Sequence, residues 1–216
     1  MALRDYRIAP LNGGAPGHAV VFLHGLGDSG AGGLLEIGRL WSASLPDTEF
    51  LCPDAPFAFA GGPIGRQWFD LSDMSLPAML EGARTAAPYL NDYIDQVLAS
   101  RKLPAAKLAL AGFSQGTIMA LYVGLRRAAT VAGILGYSGV LVGAEALAFE
   151  KKGAPPVMLA HGTLDDVVPY AFQDMSADSL RRAGIAVECV TMPGTGHGID
   201  GIGIKEGLRF LQRIFA

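Results

Sequence analysis

The segment Gly112–Gly116, which reads Gly-Phe-Ser-Gln-Gly, could present a nucleophile. It matches G-x-S-x-G, the pattern of a sharp strand-to-helix turn that exposes a strained serine. Glycine is needed on both sides of the serine because the strand and helix backbones approach too closely for a Cβ atom. An apolar run, Leu108–Ala111, precedes the motif, and a helical stretch from about Gln115 to Arg126 follows it. This context predicts that Ser114 is a nucleophile rather than a small turn residue.

A serine hydroxyl is a poor nucleophile and needs a base that a carboxylate orients. In hydrolases with this motif the chain order is serine, acid, histidine, so the base must follow Ser114. The four histidines are His18, His24, His161 and His197. A base at His161 would need an acid between residues 115 and 160, where the only candidates, Glu145 and Glu150, do not end a strand. His197, in a glycine-rich loop after the last predicted strand, is therefore the predicted base.

Two adjacent carboxylates, Asp165 and Asp166, compete for the role of the acid. Both follow the apolar run Val157–Ala160, and spacing cannot choose between them because neither needs to lie in regular structure. One is predicted to orient the base, and the other to be solvated or to cap a helix. We interpret His24 and His161 as hydrogen-bonded scaffold residues at strand ends.

The tetrahedral intermediate of acyl transfer also needs two N–H donors for its oxyanion. One is expected from the main chain of Gln115, directly after the nucleophile. The other should come from the loop His24–Asp28 after the first buried strand, where glycines let the N–H of Leu26 turn inward.

The connection from Asp54 to Pro77 is long and rich in aromatic residues, and loops of this length in compact domains are usually functional or disordered. We predict that Trp68, Phe69 and Met74 form a wall that binds the acyl group, while Arg66 is solvated. The segment 138–156 is too short for a large cap domain, which indicates an open, shallow cleft.

Short apolar strands alternate with amphipathic helices along the whole sequence. The predicted strands are Ala19–Leu23, Glu49–Cys52, Leu108–Ala111, Val131–Leu135, Val157–Ala160 and Val187–Met192, and the helical patterns run over about 34–41, 79–97, 115–126, 172–183 and 204–215. This alternation predicts an α/β fold with a mostly parallel central sheet and helices on both faces. The ligand site of such a sheet lies at the carboxyl ends of its strands. The length of 216 residues predicts one domain spanning 1–216.

Composition excludes several other classes of protein. The net charge is -3, with 17 basic against 20 acidic residues, so the chain lacks the basic surface of a nucleic-acid binder. The two cysteines, Cys52 and Cys189, lack metal-ligand spacing and are interpreted as reduced core residues. The uncharged segment 128–144 is short for a membrane span and contains four glycines, which favours a buried strand and turn over membrane insertion. The N-terminus shows no signal peptide, so a cytoplasmic location is expected.

Together these motifs resemble the carboxylesterase/phospholipase family of α/β-hydrolases, which includes the acyl-protein thioesterases. The resemblance is carried by His24–Gly30, Pro53–Pro56, Trp68–Asp70, Gly112–Gly116, His161–Pro169 and Gly196-His197. It implies that the acid is Asp165, at the fifth position of the family's HGxxD segment, and that the oxyanion donors are Leu26 and Gln115. The position after the acid, often proline in the family, is Asp166 here. Family members hydrolyse esters of short to medium acyl chains, and some act on lysophospholipids or protein thioesters.

The sequence thus predicts a serine carboxylesterase that uses Ser114, His197 and Asp165 and needs no cofactor or metal. Its partner is a small-molecule ester or thioester substrate, and a homodimer is left open because some relatives dimerise. An acyl-protein thioesterase or lysophospholipase with the same mechanism is the alternative. Two further readings are a non-catalytic binding module with a hydrolase fold and an enzyme that passes the acyl group to an alcohol.

Overall fold

The computed structural model describes residues 3–62 and 65–216. Its strands are β1 (Asp5–Ile8), β2 (His18–Leu23), β3 (Thr48–Pro53), β4 (Phe57–Ala58), β5 (Arg66–Gln67), β6 (Leu108–Phe113), β7 (Gly133–Tyr137), β8 (Val157–Gly162) and β9 (Val187–Met192). Its helices are α1 (Gly33–Ser42), α2 (Leu76–Arg101), α3 (Gln115–Arg126), α4 (Leu147–Glu150), α5 (Ala171–Arg182) and α6 (Gly201–Ile214). A 3₁₀ turn at Ala105–Lys107 leads into β6.

Seven strands form one sheet in the order β1-β3-β2-β6-β7-β8-β9. The strands from β3 to β9 in this order pair in parallel, whereas β1 pairs antiparallel with β3 at the edge. The predicted α/β class and mostly parallel sheet are confirmed. Strand β1 was not predicted, because its four residues, Asp-Tyr-Arg-Ile, are half polar and too short for a clear alternating pattern.

Successive strand residues point to opposite faces of the sheet, and each face has its own apolar cluster. One cluster joins Val21, Leu110 and Leu159 to the buried sides of α2, α3 and α5. The other joins Phe22, Ala111 and neighbouring strand residues to α1 and α6. Because both faces are covered, the central strands β2, β6, β7 and β8 are almost entirely apolar, as a buried parallel sheet requires.

One prediction of burial is wrong. Cys189 is exposed on the last strand of the sheet, whereas Cys52 is buried as expected, and both are free thiols. Burial raises the pKa of the Cys52 thiol. Among the described residues, no helix is long and apolar enough to cross a membrane.

Candidate active site

Ser114 lies in the turn between β6 and α3, at the carboxyl end of the sheet. Its backbone angles are φ 53° and ψ −117°, a strained conformation for a residue with a side chain. The turn is held by the hydrogen bond from Ser114 N to Tyr137 O, at 2.9 Å. A Cβ atom at Gly116 would lie 1.8 Å from Leu23 O, and one at Gly112 would lie 2.4 Å from backbone atoms of Gly116. Both glycines of the motif are therefore required by close backbone approach.

His197 and Asp165 meet at the carboxyl ends of β8 and β9. His197 Nδ1 lies 2.9 Å from Asp165 Oδ2 and 3.0 Å from Oδ1. Asp166, the competing carboxylate, is exposed to solvent, whereas the Asp165 carboxylate is fully buried. The structure thus brings Asp165, and not Asp166, to the histidine.

The Asp165 carboxylate is held by several donors. Its Oδ1 accepts N–H bonds from Val167 at 3.0 Å and from Val168 at 2.8 Å. Burial acts to raise the pKa of Asp165, but the hydrogen bonds from His197 and from these two N–H groups outweigh it and lower the pKa below its ordinary value. The carboxylate therefore stays ionised and can fix the Nδ1–H tautomer of His197.

His161 forms a second contact with the same carboxylate. Its Nε2 lies 2.8 Å from Val168 O and 3.2 Å from Asp165 Oδ2. A carbonyl oxygen only accepts, so Nε2 carries the proton and points toward both oxygens. His161 is a scaffold residue, as the sequence predicted, and the residue that it positions is Asp165.

His24 supports the loop that carries Leu26. Its Nδ1 lies 2.7 Å from Gly25 O, and its Nε2 accepts the N–H of Ala55 at 3.0 Å. Both ring nitrogens are satisfied by the neutral imidazole, and burial lowers the pKa of His24. This arrangement agrees with its interpretation as a scaffold residue.

The prediction that Trp68, Phe69 and Met74 form a wall for the acyl group is wrong for the two aromatic residues. Trp68 is fully buried and Phe69 is 3% exposed, and both pack in the core beside α2 instead of facing the cavity described below. Met74 does line that cavity. The loop folds inward because the N–H of Trp68 and the carbonyl of Phe69 both bind the side-chain amide of Gln115, each at 2.8 Å.

These contacts connect the two loops that carry the predicted oxyanion donors. The indole Nε1 of Trp68 donates to His24 O at 3.1 Å, while its backbone binds Gln115. Arg66, predicted to be solvated, instead donates to Ala55 O at 2.9 Å and Pro56 O at 2.8 Å. The segment 66–69 therefore connects the His24–Asp28 loop to the start of α3 through hydrogen bonds. No sequence pattern indicated this role.

Ser114 and His197 open into one cavity of about 500 Å³, which we call the main cavity. This volume lies within the range of about 300–1,000 Å³ that is common for small-molecule sites. Leu26 and Gln115 lie on its wall beside the serine. Its apolar lining, which the sequence analysis missed, comes from Met79, Ile118, Val140, Val168 and Phe172. These side chains come from four separate segments, so no local motif could have indicated them.

A parallel sheet with a strained serine at a strand-to-helix turn, followed by an acid and a histidine at later strand ends, defines an α/β-hydrolase of the serine class. A family model described as Phospholipase/Carboxylesterase matches residues 12–215. The chain belongs to this family, as its motifs predicted.

Named relatives agree with this assignment. The chain is similar to acyl-protein thioesterase 1 of Gibberella zeae, with 31% identity over 227 residues and 96% of each chain covered. It is also similar to acyl-protein thioesterase 1 homolog 1 of Dictyostelium discoideum, with 30% identity and 82% of each chain covered. Among solved structures, esterase PE8 is 38% identical, with a TM-score of 0.95, and the match covers 99% of this chain and 100% of that one.

Proposed function

We propose that this protein is a carboxylesterase that hydrolyses esters of short- to medium-chain acids through Ser114, His197 and Asp165. The observation that carries the proposal is the buried Asp165–His197 pair, which opens into the same apolar cavity as the strained serine. The similarity to esterase PE8 supports ester substrates.

In the proposed reaction, Ser114 Oγ attacks the carbonyl carbon of the ester while its proton passes to His197 Nε2. The main-chain N–H groups of Leu26 and Gln115 bind the oxyanion. The imidazolium, stabilised by Asp165, then gives the proton to the leaving oxygen as the carbon–oxygen bond breaks. Water, deprotonated by His197, attacks the acyl-serine, releases the acid and restores the serine hydroxyl.

The test is hydrolysis of p-nitrophenyl butyrate, with a burst of p-nitrophenol followed by steady turnover. Ser114→Ala should abolish the burst and lower kcat by about 10⁵-fold or more, because removal of a triad nucleophile has effects of this size. Ser100→Ala is the matched control, since Ser100 is exposed near the end of α2. A wild-type protein that neither hydrolyses this ester nor is labelled by a fluorophosphonate at Ser114 would refute the proposal.

A second candidate, an acyl-protein thioesterase or lysophospholipase, is favoured by the names of the relatives and by the description of the family. The mechanism is the same, with a thiol or a glycerol hydroxyl as the leaving group. A panel of butyryl esters, palmitoyl thioesters and lysophospholipids, ranked by kcat/KM, decides between the candidates. Adding an alcohol acceptor to the same assay detects acyl transfer, the remaining alternative to hydrolysis.

The organisation as one domain over 1–216, the cytoplasmic location and the homodimer stay predictions. Light scattering of the purified protein measures its oligomeric state directly.

A further inference from the structure

A second cavity of about 310 Å³ lies beside the main cavity. Leu34 and Ile37 of α1 form one side, and Gly198 and Ile199, directly after the proposed base, form another. Phe113 lines both cavities, and its ring centroid lies 4.9 Å from that of His197. The two cavities therefore share the side chain of Phe113, which lies beside the imidazole of His197 in the main cavity.

The chemistry of ester cleavage places the leaving group close to His197, and the second cavity lies next to that position. His197 must give its proton to the leaving oxygen or sulfur, so that atom has to lie within hydrogen-bond reach of the imidazole. The acyl chain has the larger apolar space around Ile118 and Phe172 available in the main cavity. The second cavity, which Phe113 and Ile199 border, is then available to the leaving group.

Asp28 lines both cavities and gives their junction a negative charge. Its Oδ1 accepts the N–H of Ser29 at 2.8 Å, and the carboxylate lies against Gly32 at the N-terminus of α1, a position that favours an anion. Among the described residues no ion pair includes Asp28. The nearby guanidinium of Arg66 is bound to two carbonyl oxygens instead.

We propose that the second cavity binds the leaving group of the substrate and that Asp28 selects leaving groups that carry a cation. Such a leaving group carries an ammonium or guanidinium group a few bonds from the scissile oxygen or sulfur, and it has apolar surface beside the cation. This inference rests on the proposed function and specifies its substrate class.

The first test compares two butyryl esters of almost the same shape, the choline ester and the 3,3-dimethylbutyl ester, in which carbon replaces the charged nitrogen. We expect kcat/KM to favour the choline ester by about fivefold, the size expected for one exposed ion pair. Asp28→Asn should abolish this preference, because it should lower kcat/KM for the choline ester about fivefold more than kcat/KM for the neutral ester. Because salt screens exposed charges, the preference of the wild type should also shrink as ionic strength rises.

Glu36→Gln is the matched control for charge. Glu36 lies on α1 between Leu34 and Ile37, which both line the second cavity, but its side chain is 67% exposed and pairs with Arg39. Like Asp28→Asn, Glu36→Gln removes one negative charge near the N-terminus of α1, but it changes no residue that lines the cavity. The preference for the choline ester should therefore persist in this variant.

A second variant tests the cavity itself. Gly33 is the first residue of α1, lines the second cavity, and has open space where a Cβ atom would lie. Gly33→Leu should therefore fill the cavity. We expect it to lower the ratio of kcat/KM for 3,3-dimethylbutyl butyrate to kcat/KM for methyl butyrate several-fold. Gly201 occupies the same first position of α6, also with open space around it, so Gly201→Leu is the control and should leave this ratio unchanged.

Two thioesters distinguish the sources of the cation. Butyryl thioesters of N-acetyl-Cys-Arg-amide and N-acetyl-Cys-norleucine-amide carry the cation on a peptide, whereas choline represents a small alcohol. An arginine preference that Asp28→Asn removes would indicate a basic peptide, and a preference confined to choline would indicate a small cationic alcohol.

The outcomes separate the inference from the proposed function. Failure to hydrolyse even the neutral esters would refute the proposed function and the inference with it. Normal hydrolysis without any preference for a cation, or an equal loss on both esters in Asp28→Asn, would overturn the inference alone.

Discussion

Two pairs of histidine and aspartate lie at opposite ends of the central sheet. His18 Nδ1 contacts Asp47 Oδ2 at 3.1 Å at the amino ends of β2 and β3, and His197 Nδ1 contacts Asp165 Oδ2 at 2.9 Å at the carboxyl ends of β8 and β9. The pairs share their atoms and almost their distances, yet their surroundings differ.

The two pairs differ in what surrounds the second ring nitrogen, Nε2, and in the burial of the carboxylate. His18 Nε2 accepts from Lys107 Nζ at 3.0 Å, and the Asp47 side chain is 43% exposed. The buried Asp165 carboxylate is held by two N–H groups, and His197 opens into a cavity that also contains Ser114. A histidine–aspartate pair thus becomes useful for catalysis only where a nucleophile and space for a substrate adjoin it.

Replacing each histidine with glutamine should give the largest difference in kcat between the two pairs. We expect His197→Gln to lower kcat for p-nitrophenyl butyrate by about 10⁴- to 10⁶-fold, because the serine loses its base. His18→Gln should change kcat by less than about threefold, since effects of distant substitutions on a site are small. Steady-state kinetics on both variants, with circular dichroism to verify folding, measures the contrast. Equal losses would show that the two pairs are not functionally distinct.

The carboxylates should give the next largest effect. Asp165→Asn should lower kcat by about 10³- to 10⁴-fold, since the amide disfavours the tautomer of His197 that the base requires. Asp47→Asn and Asp166→Asn should each keep kcat within about threefold of the wild-type value. Asp47 lies far from the site, and Asp166 is exposed to solvent beside it. The same kinetic assay applies, and a large loss in Asp166→Asn would reassign the acid.

The smallest effect concerns pH and the His18 pair. Burial lowers the pKa of His18 from its ordinary 6.5; the charge of Lys107 adds to this and Asp47 opposes it. The unfolded chain therefore binds a proton on this group more readily, and the contribution of His18 to stability falls as pH decreases below about 6.5. Lys107→Met should raise the pKa of His18 and reduce that loss.

Urea unfolding at pH 7.5 and 5.5, together with an NMR titration of His18, tests this expectation. A further decrease in the pKa of His18 in Lys107→Met would contradict the proposed effect of the lysine charge.

Much of the fold was predictable because its signals are local. The strand Val187–Met192 and the helix Gln115–Arg126 have the boundaries that their residue patterns indicated. The edge strand β1 was missed because a half-buried strand of four residues has little hydrophobic pattern to detect. Trp68 was misassigned because an aromatic residue in a long loop looks the same in sequence whether it lines a cavity or fills the core.

By itself the sequence determined the α/β class, the strained turn around Ser114, and the chain order that left His197 as the predicted base. These depend on short-range sterics and on the periodicity of apolar residues, which neighbouring residues encode. Only the tertiary structure decided that Asp165 rather than Asp166 meets His197, that Trp68 and Gln115 connect the two loops with the predicted oxyanion donors, and that Asp28 lines two cavities. Those relations join strand ends far apart in the chain, and the packing of the sheet and its helices sets the distances between them.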